Sequence, residues 1–256
     1  MKWFWCLTFV SFNLFAQVEL LQAFDKKTYT PRQKAVTDLI VDIESEKMKE
    51  ELNEQKIFGN IKNLSFRFYW TAQPERLAVE VLGLPEGFKE VKENLKVNAL
   101  SLFEDIIPIP LEKKFSNFKF TRKSKQLIEA KDNNSLAPIS SYDLVFNNEN
   151  VLSEVIAKRA VGEMVTKFVY DKTSFSDGRL VLKAQDIFIE ESGQKVNIKK
   201  EISYQIVAGV GLPQMINVTT KQSGSSGNLE RVENLKFSNY QVNKGEALKF
   251  FLSESK

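Results

Sequence analysis

Adjacent carboxylate pairs, Glu104-Asp105 and Glu190-Glu191, are the nearest this chain comes to the groupings that catalyse reactions. Paired carboxylates do general acid–base work when both reach one substrate atom. Glu190 and Glu191 stand in a stretch that reads as a strand, where neighbours face opposite sides, so they do not converge. The chain has no histidine. That removes Ser-His-Asp and Cys-His nucleophilic machinery and the usual zinc and iron ligands. A Ser-Lys dyad is the nucleophilic arrangement the residue types still allow, but no serine sits in a Gly-x-Ser-x-Gly elbow. Gly209-Val210-Gly211 lacks the third glycine and the following helix of a dinucleotide loop. Asp132 and the Asn147-Asn148-Glu149-Asn150 turn lack the spacing of a calcium loop. The expectation is a protein that is not an enzyme, with no catalytic residue, no metal site and no cofactor.

The positive chemical feature is aromatic. The chain carries 20 Phe against 3 Trp and 6 Tyr. Phe has no polar handle, so it suits a core or an apolar pocket. Phe66, Phe68, Phe118, Phe120, Phe146, Phe168, Phe188, Tyr204 and Phe237 fall on strand-like runs with apolar residues on one face. Their plain role is core packing. A curved sheet that closes only partly would instead leave its concave face as an apolar cavity. Phe68, Trp70, Phe118, Phe120, Phe168 and Phe188 are the candidate lining of that cavity.

Cations cluster between Lys113 and Lys125, where Lys113, Lys114, Lys119, Arg122, Lys123 and Lys125 are interleaved with Phe115, Phe118 and Phe120. Three readings stand: an edge strand whose lysines block edge-to-edge pairing, a contact with anionic headgroups or an envelope protein, and single-stranded nucleic acid. Net charge is only +3, which speaks against nucleic acid.

The N-terminus reads MKWFWCLTFVSFNLFA: one cation, an almost wholly apolar run, then Ala16. This pattern predicts a signal peptide over residues 1–16 and export to the periplasm. The run is shorter than the roughly 20 residues of a membrane span; an uncleaved anchor is the alternative, since Val18, Leu20 and Leu21 continue it. Cys6 is the only cysteine. It precedes most of the apolar run, the wrong place for a lipid-accepting cysteine. Its position leaves the exported chain without disulfides, which suits a bacterial periplasm.

These side chains need elements to hold them. Thr30, Pro31 and Gln33 read as a capped helix start, with Val36, Leu39, Ile40 and Ile43 as its apolar face and Gly59 as its end. Residues 63–82 alternate as a hairpin about Gln73-Pro74. A second helix, inserted between strands, runs from Phe88 to Ile106 and is stopped by Pro108 and Pro110. Phe115–Ile128 reads as one strand, Tyr142–Phe146 as a short one, and Leu152–Phe175 as one long strand bent at Gly162. Ser176-Asp177-Gly178 turns the chain into 179–189, and Glu191-Ser192-Gly193 turns it again. The strand 201–218 reads as kinked at Gly209, Gly211 and Pro213. Gly224-Ser225-Ser226-Gly227 leads into 229–242, and Lys249-Phe250-Phe251 forms a last short edge. The sum is an α+β domain over 17–256, with a meander of roughly six strands after the helices.

GLPQMINVTTKQSGSSGNLERVENLKFSNYQVNKGEALKFF, residues 211–251, carries a Leu-Pro, an alternating strand, a glycine turn, a second strand, Asn-Tyr-x-x-Asn and terminal phenylalanines. This pattern, with the order of elements before it, resembles the Lol-type periplasmic lipoprotein carriers. The family's Asp-Gly-x-x-Leu-Trp strand has no counterpart here, and its lid arginine matches no residue. The resemblance implies a curved antiparallel sheet, an incomplete β-barrel, with an N-terminal helix and an inserted helix packed on its concave face. It implies an exported carrier of a lipid, an acyl chain or an acylated protein. A non-catalytic sensor or scaffold that binds a protein partner through the same fold is the second reading.

Overall fold

In a computed structural model, residues 19–56, 59–132, 138–191, 193–224 and 227–254 are described. The expected signal segment, residues 1–16, lies outside them. The described residues form twelve strands: β1 (Asp38–Ser45), β2 (Ser65–Ala72), β3 (Glu75–Leu82), β4 (Phe118–Arg122), β5 (Leu127–Asp132), β6 (Ile139–Phe146), β7 (Leu152–Arg159), β8 (Glu163–Lys172), β9 (Leu180–Glu191), β10 (Gln194–Val207), β11 (Val210–Gly224) and β12 (Gly227–Val242). Among the described residues six α-helices accompany them: α1 (residues 19–27), α2 (Glu46–Glu54), α3 (Lys89–Ala99), α4 (Phe103–Ile106), α5 (Leu111–Lys114) and α6 (Glu246–Glu254). The sheet order is β3-β2-β1-β12-β11-β10-β9-β8-β7-β6-β5-β4. The hairpins pair antiparallel, as does β1 with β12. β3 and β4 end the order, so the sheet is not closed into a barrel.

The contacts divide the chain into two compact units. The first comprises Met1–Tyr29, Ile109–Lys200 and Thr219–Arg231. In it, Leu20, Leu21 and Phe24 of α1 pack into a core with Phe115, Ile128, Leu144 and Phe146. Asp25 ties the helix down: its carboxylate accepts from the backbone N–H groups of Leu111 (2.8 Å) and Glu112 (3.1 Å) at the start of α5. Burial is the largest influence on that carboxyl and raises its pKa, against the lowering effect of those two N–H groups.

The second unit comprises Thr30–Pro108, Glu201–Val218 and Val232–Lys256. Here Leu39, Val41 and Ile43 of β1 stand opposite Trp70, Phe68 and Phe66 of β2 and share one face with them. Phe103 of α4 covers that face. On the other face Ile40 and Tyr69 pack against Ala247 and Phe251 of α6. Asp38 holds α6 in place, accepting from Gly245 N at 2.9 Å and Leu248 N at 3.0 Å. Beside it the buried Asp42 carboxylate pairs with the half-exposed Arg67. Arg67 Nε and Nη2 each donate to Asp42 at 2.7 Å, and Asn239 Nδ2 adds a third bond at 2.9 Å. Such a network fixes strand register.

Several sequence expectations need correction. Of the helix expected from Thr30 to Gly59, the charged run stands as α2, but the start is a single 3-10 turn, Pro31–Lys34, which Ala35 ends at φ 54. Then β1 takes over, and only Glu44 of its eight residues is not buried. An apolar run buried on both faces has no period of its own, so helical spacing was a coincidence of Leu39, Ile40 and Ile43. The α-helix begins at Ser45, whose hydroxyl accepts from Met48 N at 3.1 Å. The inserted helix is present as α3 and α4, joined by a 3-10 turn. Phe115–Ile128 is two strands, not one: the Arg122 guanidinium donates to the carbonyls of Ser124 (3.2 Å) and Lys125 (3.1 Å) and stitches a reversal. Leu152–Phe175 is also two strands. Gly162 stands in the turn at φ +74, with Glu190 O only 2.0 Å from where a Cβ would be. Lys249-Phe250-Phe251 is helical, within α6. The meander after the helices has nine strands, β4 to β12, not six.

The Gly209–Pro213 break is a full reversal. Ala208 (φ 51) and Gly209 (φ 78) form a two-residue turn between β10 and β11, and Gly211 and Pro213 lie within the return strand. Tyr240 Oη donates to Pro213 O at 2.8 Å. Alanine in a left-handed conformation costs about 1 kcal/mol or more. Ala208→Asn, which creates the favoured Asn-Gly hairpin turn, is therefore expected to stabilise the fold by about 1 kcal/mol. Urea unfolding checks this; an unchanged or lower midpoint would contradict the turn assignment.

Candidate functional site

The six aromatics expected to line one cavity fall into three settings. Phe68 and Trp70 are each 1% exposed. Phe68 stacks on Phe103 with centroids 6.2 Å apart, and Trp70 lies 6.1 Å from the same ring. Arg32 holds its guanidinium 4.7 Å above the Trp70 ring. These rings are the core of the second unit. Phe118, Phe120 and Phe168 pack against the core of the first unit. Phe118 meets Phe115 (5.2 Å) and Tyr142 (5.6 Å) edge-to-face, and Phe168 stacks on Tyr170 at 6.2 Å. Tyr170 meets Phe24 of α1 at 5.9 Å, and burial pushes its phenol pKa well up.

Phe188 differs. It is 41% exposed and forms part of a groove of about 760 Å³ in the first unit. Register explains why. Val165 pairs with Phe188, and Phe168 pairs with Gln185. Val165 and Phe168 are three residues apart on a regular stretch of β8, so they face opposite sides. Phe168 therefore looks towards α1, and the Val165–Phe188 pair looks away from it. On this second face β8 to β12 build the groove. Val165, Phe188 and Leu229 supply apolar surface, and Leu229 is 63% exposed. Lys167 Nζ sits 5.9 Å from the Phe188 ring centre. Along the rim Glu163 stands directly opposite Glu190. Lys195 lies 3.9 Å from Glu190, and Lys221 lies 3.4 Å from Glu230. An exposed aromatic ringed by charges of both signs is a binding arrangement: it can take apolar surface out of water and orient a polar end.

Val165, Leu229 and the rim residues were not anticipated. One signal was available: β8 carries Met164, Thr166 and Phe168 on one face and Val165 and Val169 on the other. A strand apolar on both faces has two faces to cover, yet α1 covers only one.

A second depression, beside α6, is wide and shallow, with Ile40, Tyr69, Lys244 and Phe250 among its lining. Its aromatic floor is already occupied. Tyr69 and Phe250 stack at 3.8 Å, and Tyr69 Oη donates to Glu80 at 2.6 Å. Burial and that bond push the Tyr69 phenol up to about 12. The open ring of Phe188 makes the first groove the stronger site.

The basic residues are dispersed rather than gathered. Lys113 and Lys114 are on α5. Lys119 stands opposite Lys131, on the sheet face away from Phe118 and Phe120. Arg122 stitches its turn, while Lys123 bridges to Glu129 at 2.9 Å and holds that carboxyl below its usual range. Lys125 is exposed in the same turn. Among the described residues, no group of three or more His, Cys, Asp or Glu could hold a metal ion, and no helix is long and apolar enough to cross a membrane.

No protein-family model, curated protein or solved structure matches this chain.

Proposed function

We propose that this chain is a non-catalytic binder or carrier of a lipid or acyl chain, exported to the periplasm, and that the apolar chain lies in the groove of β8–β12. The observation that carries the reading is the apolar surface of half-buried Val165 and exposed Phe188 and Leu229 within a groove of about 760 Å³. That size is in the range of small-molecule sites. Each methylene removed from water there contributes about 0.8 kcal/mol, so an acyl chain needs no reactive group to be held. The antiparallel sheet with unpaired ends is compatible with the incomplete barrel that the C-terminal pattern resembles. Within the first unit α1 packs on one face of β8, and the groove uses the opposite face of that strand. Lys119, Lys125 and their neighbours would meet an anionic membrane surface or envelope protein during exchange, an attraction weakened by salt.

Native mass spectrometry of the purified chain, with and without a fluorescent single-chain amphiphile, tests the proposal. The expected result is one bound amphiphile per chain and probe uptake displaced by unlabelled lipid. A clean apo mass with no uptake would sink it. That outcome would favour a protein-binding module, for which Leu248 and Leu252, exposed one turn apart on α6, offer a surface.

A further inference from the structure

We infer that the groove selects an amphiphile whose headgroup carries an ammonium, of the zwitterionic phospholipid class, over a simple fatty acid. This rests on the lipid-binding reading above and names the ligand class for the same site.

The rim charges decide between headgroups. The groove lining contains three carboxylates, Glu163, Glu190 and Glu230, and two ammonium groups, Lys195 and Lys221. Both lysines already face a lining carboxylate, at 3.9 Å and 3.4 Å. The cations that approach from the flanking strand are also engaged. Lys158 of β7 stands opposite Glu163 but places its Nζ 2.7 Å from Asp143. Lys167 lies 3.8 Å from Glu154, and Arg159 lies 3.3 Å from Glu191. A fatty-acid carboxylate entering the groove could compete for Lys195 and Lys221 as a phosphate could, but it brings no cation to set between Glu163 and Glu190.

An ammonium meets the reverse situation. Glu163 and Glu190 are direct cross-strand neighbours, and like charges so placed repel. A cation set between them relieves that repulsion. The next pair along the same face is Val165–Phe188, so the Phe188 ring lies beside the carboxylates. Aromatic faces attract ammonium groups, and quaternary ammonium most characteristically. Lys195 and Lys221 stand on β10 and β11, across the groove from β8. They can exchange their exposed carboxylate partners for a phosphate at little cost, because surface pairs of this kind contribute little. Glu163 and Glu190 thus suit the ammonium, Lys195 beside Glu190 suits the adjoining phosphate, and the apolar surface of Val165, Phe188 and Leu229 takes the chain.

Binding of lysophosphatidylcholine, oleate and a neutral monoacylglycerol, each below its micelle concentration, tests this by isothermal titration calorimetry. The expected result is that lysophosphatidylcholine binds about tenfold more tightly than oleate. In the Glu163→Gln/Glu190→Gln double variant that preference is expected to fall to about twofold. Oleate binding as tightly as lysophosphatidylcholine in the unaltered protein would overturn the headgroup assignment and leave the lipid-binding reading standing. No binding of any of the three would overturn both. Both glutamates are exposed, and the unaltered-protein comparison decides the matter even if the double variant folds poorly.

Discussion

Phe68→Ala is expected to cost about 3–5 kcal/mol of folding free energy, and Phe188→Ala less than about 1 kcal/mol. The two residues look alike in sequence, each a phenylalanine in an alternating strand. Their surroundings separate them. Phe68 is fixed between Val41 and Val79 on neighbouring strands and capped by the Phe103 ring. Truncation there removes a large buried side chain and leaves a void that packed strands cannot collapse to fill. Phe188 keeps 41% of its surface in water, so its removal forfeits little burial. Urea unfolding of the two variants reads this directly. Equal losses, or a larger loss at Phe188, would mean that the β8–β9 face is covered core and that the groove is not an open site.

The second large effect is on binding. Phe188→Asp is expected to weaken amphiphile affinity by about 30-fold, since an apolar contact of about 2 kcal/mol is lost and a third carboxylate joins Glu163 and Glu190. Folding stability should change by less than about 1 kcal/mol. Phe168→Leu, on the opposite sheet face, is the matched control and is expected to leave affinity within about twofold while lowering stability. Probe titration of the two variants, with their melting curves, separates a site residue from a core residue. Equal loss of affinity in both would place the ligand elsewhere.

Much of the architecture was legible from residue patterns. The hairpin over 65–82, the inserted helix ended by Pro108 and the Ser176-Asp177-Gly178 reversal all follow from local chemistry, and they stand where expected. Ser176 even hides its hydroxyl in that reversal, its single O–H placed between the carbonyls of Thr173 (2.9 Å) and Arg179 (2.7 Å). What failed depended on tertiary context. β1 was read as helix because burial on both faces erased its period. The terminal Lys-Phe-Phe became helix because Asp38, over two hundred positions away, accepts from the first turn of α6. The candidate site failed in an instructive way. Period two identifies Phe118, Phe120, Phe168 and Phe188 as strand residues but says nothing of which face meets a helix. Only the register, Val165 with Phe188 and Phe168 with Gln185, sorts them onto opposite faces. Of the six expected lining residues, Phe188 alone is in the groove.

A photoactivatable acyl chain is the most direct probe of where the ligand lies. The chain is to be loaded with a lysophospholipid bearing a diazirine near the end of its acyl tail, irradiated, digested and mapped by mass spectrometry. Label is expected to concentrate on β8 and β9 around Val165 and Phe188, and to be lost in Phe188→Asp. Label concentrated instead on α1, Phe168 or the Phe68–Phe103 core would contradict it, placing the ligand beneath the helices and not in the groove.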